Sequence, residues 1–160
     1  MSLQLCLAAL AVIFSASASA FASASTSVAA DGCPSADWVL FESGCYWKSP
    51  FQLSWRRIAD VCDSISPGAL PTSVHSFTED AFIAETLLEG ARGWLGLHRN
   101  DTHISWTWAD GSDYNRYYFG CNEPSFEGEA CAVINHGRIG EWASFSCDDE
   151  QYFVCRVNAK

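Results

Sequence analysis

Basic residues are scarce in this chain of 160 residues. It has 9 Lys and Arg against 19 Asp and Glu, which gives a formal net charge of −10 at pH 7. Nucleic acids and anionic lipids are bound mainly through positive charge, so this composition argues against both as partners. An acidic surface suits a bound cation, although acidity also keeps a protein in solution.

Hydrophobic runs of membrane-spanning length are also missing. The apolar run from Leu3 to Phe14 is shorter than the ~20 residues that a transmembrane helix needs. No charge precedes Asp31, and Ala18-Ser19-Ala20 fits the small-x-small pattern of a signal peptidase site. We therefore predict a signal peptide over residues 1–20, cut between 20 and 24, and a short tether over 21–32. The protein is expected to be secreted and extracellular, without membrane insertion.

Cysteines spaced as Cys-x-x-Cys are absent, which argues against a zinc or dithiol redox motif. Cys6 lies in the predicted signal peptide. Seven cysteines remain in the secreted part: Cys33, Cys45, Cys62, Cys121, Cys131, Cys147 and Cys155. An oxidising compartment favours their pairing, which leaves one odd thiol.

Short apolar segments predict two helices and several strands. Cys33 to Lys48 has the pattern of a β-hairpin with its turn at Glu42-Ser43-Gly44. Residues 54–65 fit a helix ended by Pro67-Gly68. Its predicted buried face has the i, i+3, i+4, i+7 spacing and consists of Trp55, Ile58, Ala59 and Cys62.

A second helix is predicted from a capping box, because Ser76 and Glu79 have the Ser-x-x-Glu spacing. It should run through Leu88 and end at Gly90, with an apolar stripe of Phe82, Ile83 and Leu87. Further strands are predicted at 94–97, 105–108, 132–134, around 142 and at 152–157.

The stretch from Gly111 to Ala130 shows little periodicity, and such long irregular segments in a compact domain are usually functional. It contains a Pro-bearing turn with Glu123, Pro124 and, further on, Glu129. Carboxylates gathered on a turn are the ligands that calcium prefers. Before this stretch, Asn100-Asp101-Thr102 is an acceptor sequence for N-glycosylation at Asn100.

These features together resemble the C-type lectin-like domain in its long form, which has an extra N-terminal hairpin. The resemblance rests on the hairpin, the two helices, WLGL, WTWADG, the Glu-Pro turn and the spacing of the last cysteines, and it covers residues 33–157. It implies an α+β fold in which two helices flank a pair of small antiparallel sheets and a long loop carries the ligand site. It also implies three disulfides: Cys33–Cys45, Cys62–Cys155 and Cys131–Cys147.

Sugar-binding members of that family hold calcium with a Glu-Pro-Asn triplet, a later Glu, and an Asn-Asp pair after a Trp. Glu123 and Pro124 match the triplet, with a bond that is usually cis, and Glu129 matches the later Glu. Ser125 stands in place of the Asn, and Ala143-Ser144 in place of the Asn-Asp pair. The resemblance therefore implies a degenerate calcium site in which two strong ligands remain, Glu123 and Glu129.

Two functions follow from the resemblance. The first is a secreted lectin that recognises glycans through the loop Tyr114–Glu129 and the edge of Trp142. Its candidate ligand contacts are Glu123, Pro124, Ser125, Glu129, Tyr117 and Tyr118. The second is a calcium-independent module that binds a protein or another surface. The implied pairing leaves Cys121 as the odd cysteine, so a disulfide-linked homodimer is a candidate, with a buried or capped thiol as the alternative.

An enzyme is not expected. Glu127 and Glu129 have the chemistry of a glycosidase acid pair, and Cys121 with a histidine has that of a thiol nucleophile. A solvated loop and a structural cysteine account for the same residues without catalysis.

Overall fold

The computed structural model describes residues 32–100, 105–115, 118–125 and 127–160. The predicted signal peptide, nearly all of the tether and Tyr117 lie outside these residues. None of the helices in the described part of the chain has the length and apolarity that a membrane crossing needs.

Nine strands are found within the described residues: β1 Val39–Phe41, β2 Gly44–Lys48, β3 Leu53–Ser54, β4 Leu70–Pro71, β5 Gly93–Arg99, β6 Thr107–Trp108, β7 Ala130–Ile134, β8 Trp142–Phe145 and β9 Glu150–Asn158. Their main order in the sheet is β1-β2-β9-β5-β7-β8, with β3 and β4 on β9 and β6 on β5. β5 and β9 pair in parallel and join two antiparallel groups into one mixed sheet. The predicted α+β fold is confirmed.

The N-terminal hairpin forms as predicted. Phe41 pairs with Gly44 across a turn in which Glu42 has a positive φ of 51°. β2 then pairs along its whole length with β9, near the end of the chain. The hairpin is thereby built into the main sheet and does not stand apart from the domain.

The first helix, α1, runs from Trp55 to Ile65 and buries Ile58 and Cys62. The prediction that Ala59 lies on the buried face is wrong, because Ala59 is exposed. The helix lies at the surface and buries a narrow stripe, in which Ile58 packs into the core and Cys62 is bonded to Cys155 of β9.

The second helix, α2, runs from Phe77 to Ala81 and begins with the predicted cap, since the Ser76 hydroxyl accepts a hydrogen bond from Glu79 N at 3.0 Å. It continues as a π-helical segment over Phe82–Leu87, which the sequence pattern did not predict. The wider turn still buries Phe82, Ile83 and Leu87. Gly90, with φ +78°, follows it.

All three expected disulfides are present: Cys33–Cys45, Cys62–Cys155 and Cys131–Cys147. Cys62–Cys155 ties α1 to β9, and Cys131–Cys147 ties the start of β7 to the residues that follow β8. The Cys131–Cys147 bond thus holds together the strands that carry the candidate site.

Trp142, the first residue of β8, is fully buried, so the prediction that its edge contacts a ligand is wrong. A buried carboxylate holds its ring. Its Nε1 donates a hydrogen bond to Asp80 Oδ1 at 2.8 Å, and Asp80 is 4% exposed. Burial raises the pKa of Asp80 to about 6, and the nearby Glu79 charge adds to the rise, while the Trp142 hydrogen bond opposes it. The ionised form of Asp80 therefore costs the folded state free energy.

Asp80→Asn should stabilise the protein at neutral pH. The pKa of Asp80 is higher in the folded state, so its contribution is fully present below about pH 4 and is lost as the pH rises through about 6. Asparagine keeps an acceptor for Trp142 Nε1 without the charge. We expect a gain of ~1–3 kcal/mol in the free energy of unfolding near pH 8 that vanishes near pH 4, measured by urea unfolding. A variant that is equally destabilised at both pH values would contradict this account.

Candidate functional site

The candidate site lies where the segment from Tyr118 to Ser125 meets β8. Backbone hydrogen bonds join Gly120 N to Trp142 O and Trp142 N to Tyr118 O, each at 2.9 Å. These bonds fix the segment beside β8 before it reaches Glu123. The Glu123–Pro124 peptide bond is cis, as the resemblance implied.

The Glu123 carboxylate accepts four hydrogen bonds from two serines. Oε1 accepts from Ser125 Oγ at 2.8 Å, while Oε2 accepts from Ser125 N at 2.8 Å and from the Ser144 backbone N and Oγ at 2.9 Å each. Partial burial alone would raise the pKa of Glu123, but these hydrogen bonds outweigh it and lower the pKa. The carboxylate is thus held ionised by groups of the chain itself.

Both serines stand at positions where sugar-binding C-type lectins have calcium ligands. An Asn or Asp there would offer oxygen acceptors to a metal, whereas Ser125 and Ser144 turn hydroxyl and amide donors toward Glu123. Donors satisfy the carboxylate lone pairs that a cation would otherwise use. Ala143, at the remaining substituted position, is buried and presents a methyl group.

Glu129, the second expected ligand, is paired with a cation of the protein. It lies just before β7, and the Arg56 guanidinium of α1 donates to both of its oxygens, from Nη1 to Oε1 at 2.9 Å and from Nη2 to Oε2. Arg56 Nε donates to Asp148 Oδ1 at 2.8 Å. The hydrogen bonds from Arg56 lower the pKa of Glu129. Arg56 therefore occupies the carboxylate that a calcium ion would need.

The donor set does not fit calcium, which takes six to eight oxygen ligands. Glu123 is covered by hydrogen-bond donors, and Glu129 is neutralised by Arg56. In the ranges 32–100, 105–115, 118–125 and 127–160, no three His, Cys, Asp or Glu side chains come together in a way that could hold a metal ion. The residues present therefore do not form a calcium site in this structure.

The other predicted site residues are placed as follows. Tyr118 is half-buried, with its ring centroid 5.2 Å from that of Trp142. Asn100 is exposed at the end of β5, as a glycosylation acceptor must be, and its use stays a prediction. Cys121 is disulfide-bonded, and no described cysteine is a free thiol. The intermolecular bridge at Cys121 also stays a prediction.

Two contributors were missed by sequence reasoning. Arg56 precedes Glu129 by 73 residues, and only the folded chain brings the two side chains together. Ser144, which the family pattern counts as a lost ligand, supplies two donors to Glu123. The sequence offers one signal: two of the three altered positions carry serine, the small residue whose hydroxyl can replace a lost metal contact.

Comparisons with known proteins identify the family. The family model described as "Lectin C-type domain" matches residues 51–157. The chain is 31% identical to lectin BRA-3 of Megabalanus rosa over 128 residues, which cover 78% of each chain. It is 31% identical to ovocleidin-17 of Gallus gallus over 141 residues, 81% of this chain and 99% of that one.

Among solved structures, the C-type lectin domain of murine dendritic cell inhibitory receptor 2, in complex with an N-glycan, has a TM-score of 0.69 and 33% identity. That likeness covers 79% of this chain and 98% of the other. The fold, the disulfides, the cis Glu-Pro bond and the family match thus all indicate the same family. The chain belongs to the C-type lectin domain family.

Proposed function

We propose that this protein is a secreted C-type lectin-like binding module that recognises its ligand without calcium. The observation that carries the proposal is the Glu123 carboxylate, whose two oxygens already accept four hydrogen bonds from Ser125 and Ser144. A calcium ion would have to displace these donors and also compete with Arg56 for Glu129. Both arrangements oppose metal binding: the four hydrogen bonds to Glu123 have to be broken, and the exposed Arg56–Glu129 pair adds a weaker opposition.

The ligand class that this arrangement supports is a protein or another extended surface. Without a metal, the loop cannot chelate two neighbouring sugar hydroxyls through an ion. The names of the relatives indicate that the family includes more than sugar-binding lectins. They include lectin BRA-3 and also ovocleidin-17, described as a major protein of the eggshell calcified layer. Binding, and not catalysis, is the activity proposed.

Glycan recognition is the second candidate, and the retained Glu123–Pro124 pair with its cis bond favours it. A structural relative binds an N-glycan, and Tyr117 and Tyr118 precede the turn in sequence. In this chain such recognition would rely on direct hydrogen bonds and on stacking against aromatic rings.

Calorimetric titration of calcium into the chelator-stripped protein tests the proposal. We expect no saturable heat and no shift of the melting midpoint at millimolar calcium, and the same null result for Glu123→Ala/Glu129→Ala. A glycan array probed with and without EDTA separates the two candidates. Saturable calcium binding that the double variant abolishes, or glycan binding that EDTA removes, would refute the calcium-independent function.

A further inference from the structure

A groove of about 250 Å³ runs between α2 and the turn that connects β7 to β8. Phe77, Asp80 and Glu85 contribute from the helical side, and Ile139 and Glu141 from the turn. Neither Glu123 nor Glu129 lines it. The groove therefore adjoins the candidate site through Tyr118, which lines it, but it does not include the two carboxylates of that site.

Two large apolar side chains are exposed at this groove. Phe77 is 71% exposed and Ile139 is 61% exposed, and they come from opposite walls. Single exposed apolar residues are ordinary on protein surfaces. Two of them facing one concave surface instead mark a place where a partner can bury apolar area.

A buried carboxylate lies in the same groove. Asp80 is 4% exposed, and its Oδ1 accepts from Trp142 Nε1. Within the described part of the chain, its Oδ2 accepts no hydrogen bond. A Cβ on Gly140 would lie 3.1 Å from this Oδ2, and its absence leaves the oxygen open on the groove side. Among the described residues Asp80 Oδ2 is not a fully buried atom without a partner, so a ligand in the groove can reach it and donate to it in place of water.

Two further carboxylates surround this opening. Glu85 is exposed, and among the described residues the one ion-pair partner of Glu141 is the exposed Arg138, at 3.9 Å. Such an exposed, long ion pair holds its partner weakly. The groove therefore combines two apolar side chains with three carboxylates, and the whole chain carries a net charge of −10.

We propose that this groove binds a peptide segment of a partner protein in which a basic side chain is flanked by apolar ones. The basic group donates to Asp80 Oδ2 and lies between Glu85 and Glu141. The flanking apolar side chains cover Phe77 and Ile139. The carboxylates and the apolar side chains of the groove thus favour the same kind of peptide segment. This inference goes beyond the proposed function and does not depend on what binds near Glu123.

Fluorescence polarisation in EDTA tests the proposal with a short fluorescein-labelled peptide that has a central arginine between leucines. A second peptide has citrulline in place of the arginine and differs only in charge. We expect saturable binding of the first peptide and at least about tenfold weaker binding of the second, because the buried carboxylate is then left without a charged donor.

Variants locate the binding. Asp80→Asn keeps the acceptor for Trp142, so we expect a loss of about tenfold or more in affinity with an unchanged or raised melting midpoint. Glu85→Gln/Glu141→Gln should weaken binding several-fold. The matched control is Asp60→Asn/Glu150→Gln, which removes the same charge from exposed residues that do not line the groove, and it should bind as wild type does.

Three results would overturn the proposal: no binding of the arginine peptide, equal binding of the citrulline peptide, or equal losses in the control and groove variants. Concentration-dependent dimers in sedimentation that Asp80→Asn disrupts would show that a second copy of the chain occupies the groove and would exclude the peptide partner. Because every measurement is made in EDTA, failure here leaves the calcium-independent function unchanged.

Discussion

Replacing Ser125 with Asn, Ala143 with Asn and Ser144 with Asp should create a calcium site in this protein. Each serine now donates a hydroxyl hydrogen to Glu123. The substitutions turn both positions into oxygen acceptors and raise the formal ligand charge from −2 to −3, as in sugar-binding members of the family. Extracellular calcium sites have dissociation constants of about 10⁻⁴ to 10⁻³ M. We expect the triple variant to reach that range in calorimetry.

The ion pair between Arg56 and Glu129 is the second obstacle to calcium binding. In the triple variant Glu129 is still paired with Arg56 through both oxygens. Adding Arg56→Met frees that carboxylate, so calcium affinity should rise several-fold further. Arg56→Met alone is the matched control and should not bind calcium, because Glu123 keeps its four hydrogen bonds. A folded triple variant without calcium binding, with or without Arg56→Met, would show that the altered side chains are not what prevents metal binding.

Removal of the Cys62–Cys155 disulfide has the second large expected effect. The bond joins residues 93 apart in sequence, so in the chain-entropy estimate it stabilises the fold by ~4–5 kcal/mol. Both cysteines are fully buried, between α1 and β9. We expect Cys62→Ala/Cys155→Ala to lower the melting midpoint by roughly 10–20 °C in differential scanning calorimetry.

The Cys33–Cys45 bond provides the comparison, since its cysteines are only 12 residues apart. Its removal should cost about 3 kcal/mol or less, because the shorter loop loses less entropy when it is closed. A larger loss from Cys33→Ala/Cys45→Ala than from Cys62→Ala/Cys155→Ala would show that loop length does not govern the stability of this domain.

Local sequence patterns predicted the features that depend on neighbouring residues. The hairpin, the first helix and the Ser76 cap follow from turn residues, apolar spacing and a side chain that reaches three residues along. The three disulfide pairs needed more than spacing, because seven cysteines allow many pairings, and the family resemblance supplied them.

Features that depend on distant residues could not be predicted in this way. The Arg56–Glu129 pair joins α1 to the residue before β7, and no period in the sequence connects them. The π-helical segment over Phe82–Leu87 repeats the same apolar stripe as an α-helix, so the pattern does not separate the two. The direction of the Ser144 hydroxyl depends on where the turn places Glu123.

The serine contacts at Glu123 also affect how the loop responds to its surroundings. In a calcium-dependent lectin, the shape of the ligand loop varies with the supply of an ion that has to diffuse in. Here the groups that donate hydrogen bonds to the Glu123 carboxylate belong to the chain itself, so they are present whatever the calcium concentration. The recognition surface should therefore keep one shape from calcium-rich to calcium-poor fluids, and a ligand once bound should not be released by a fall in calcium.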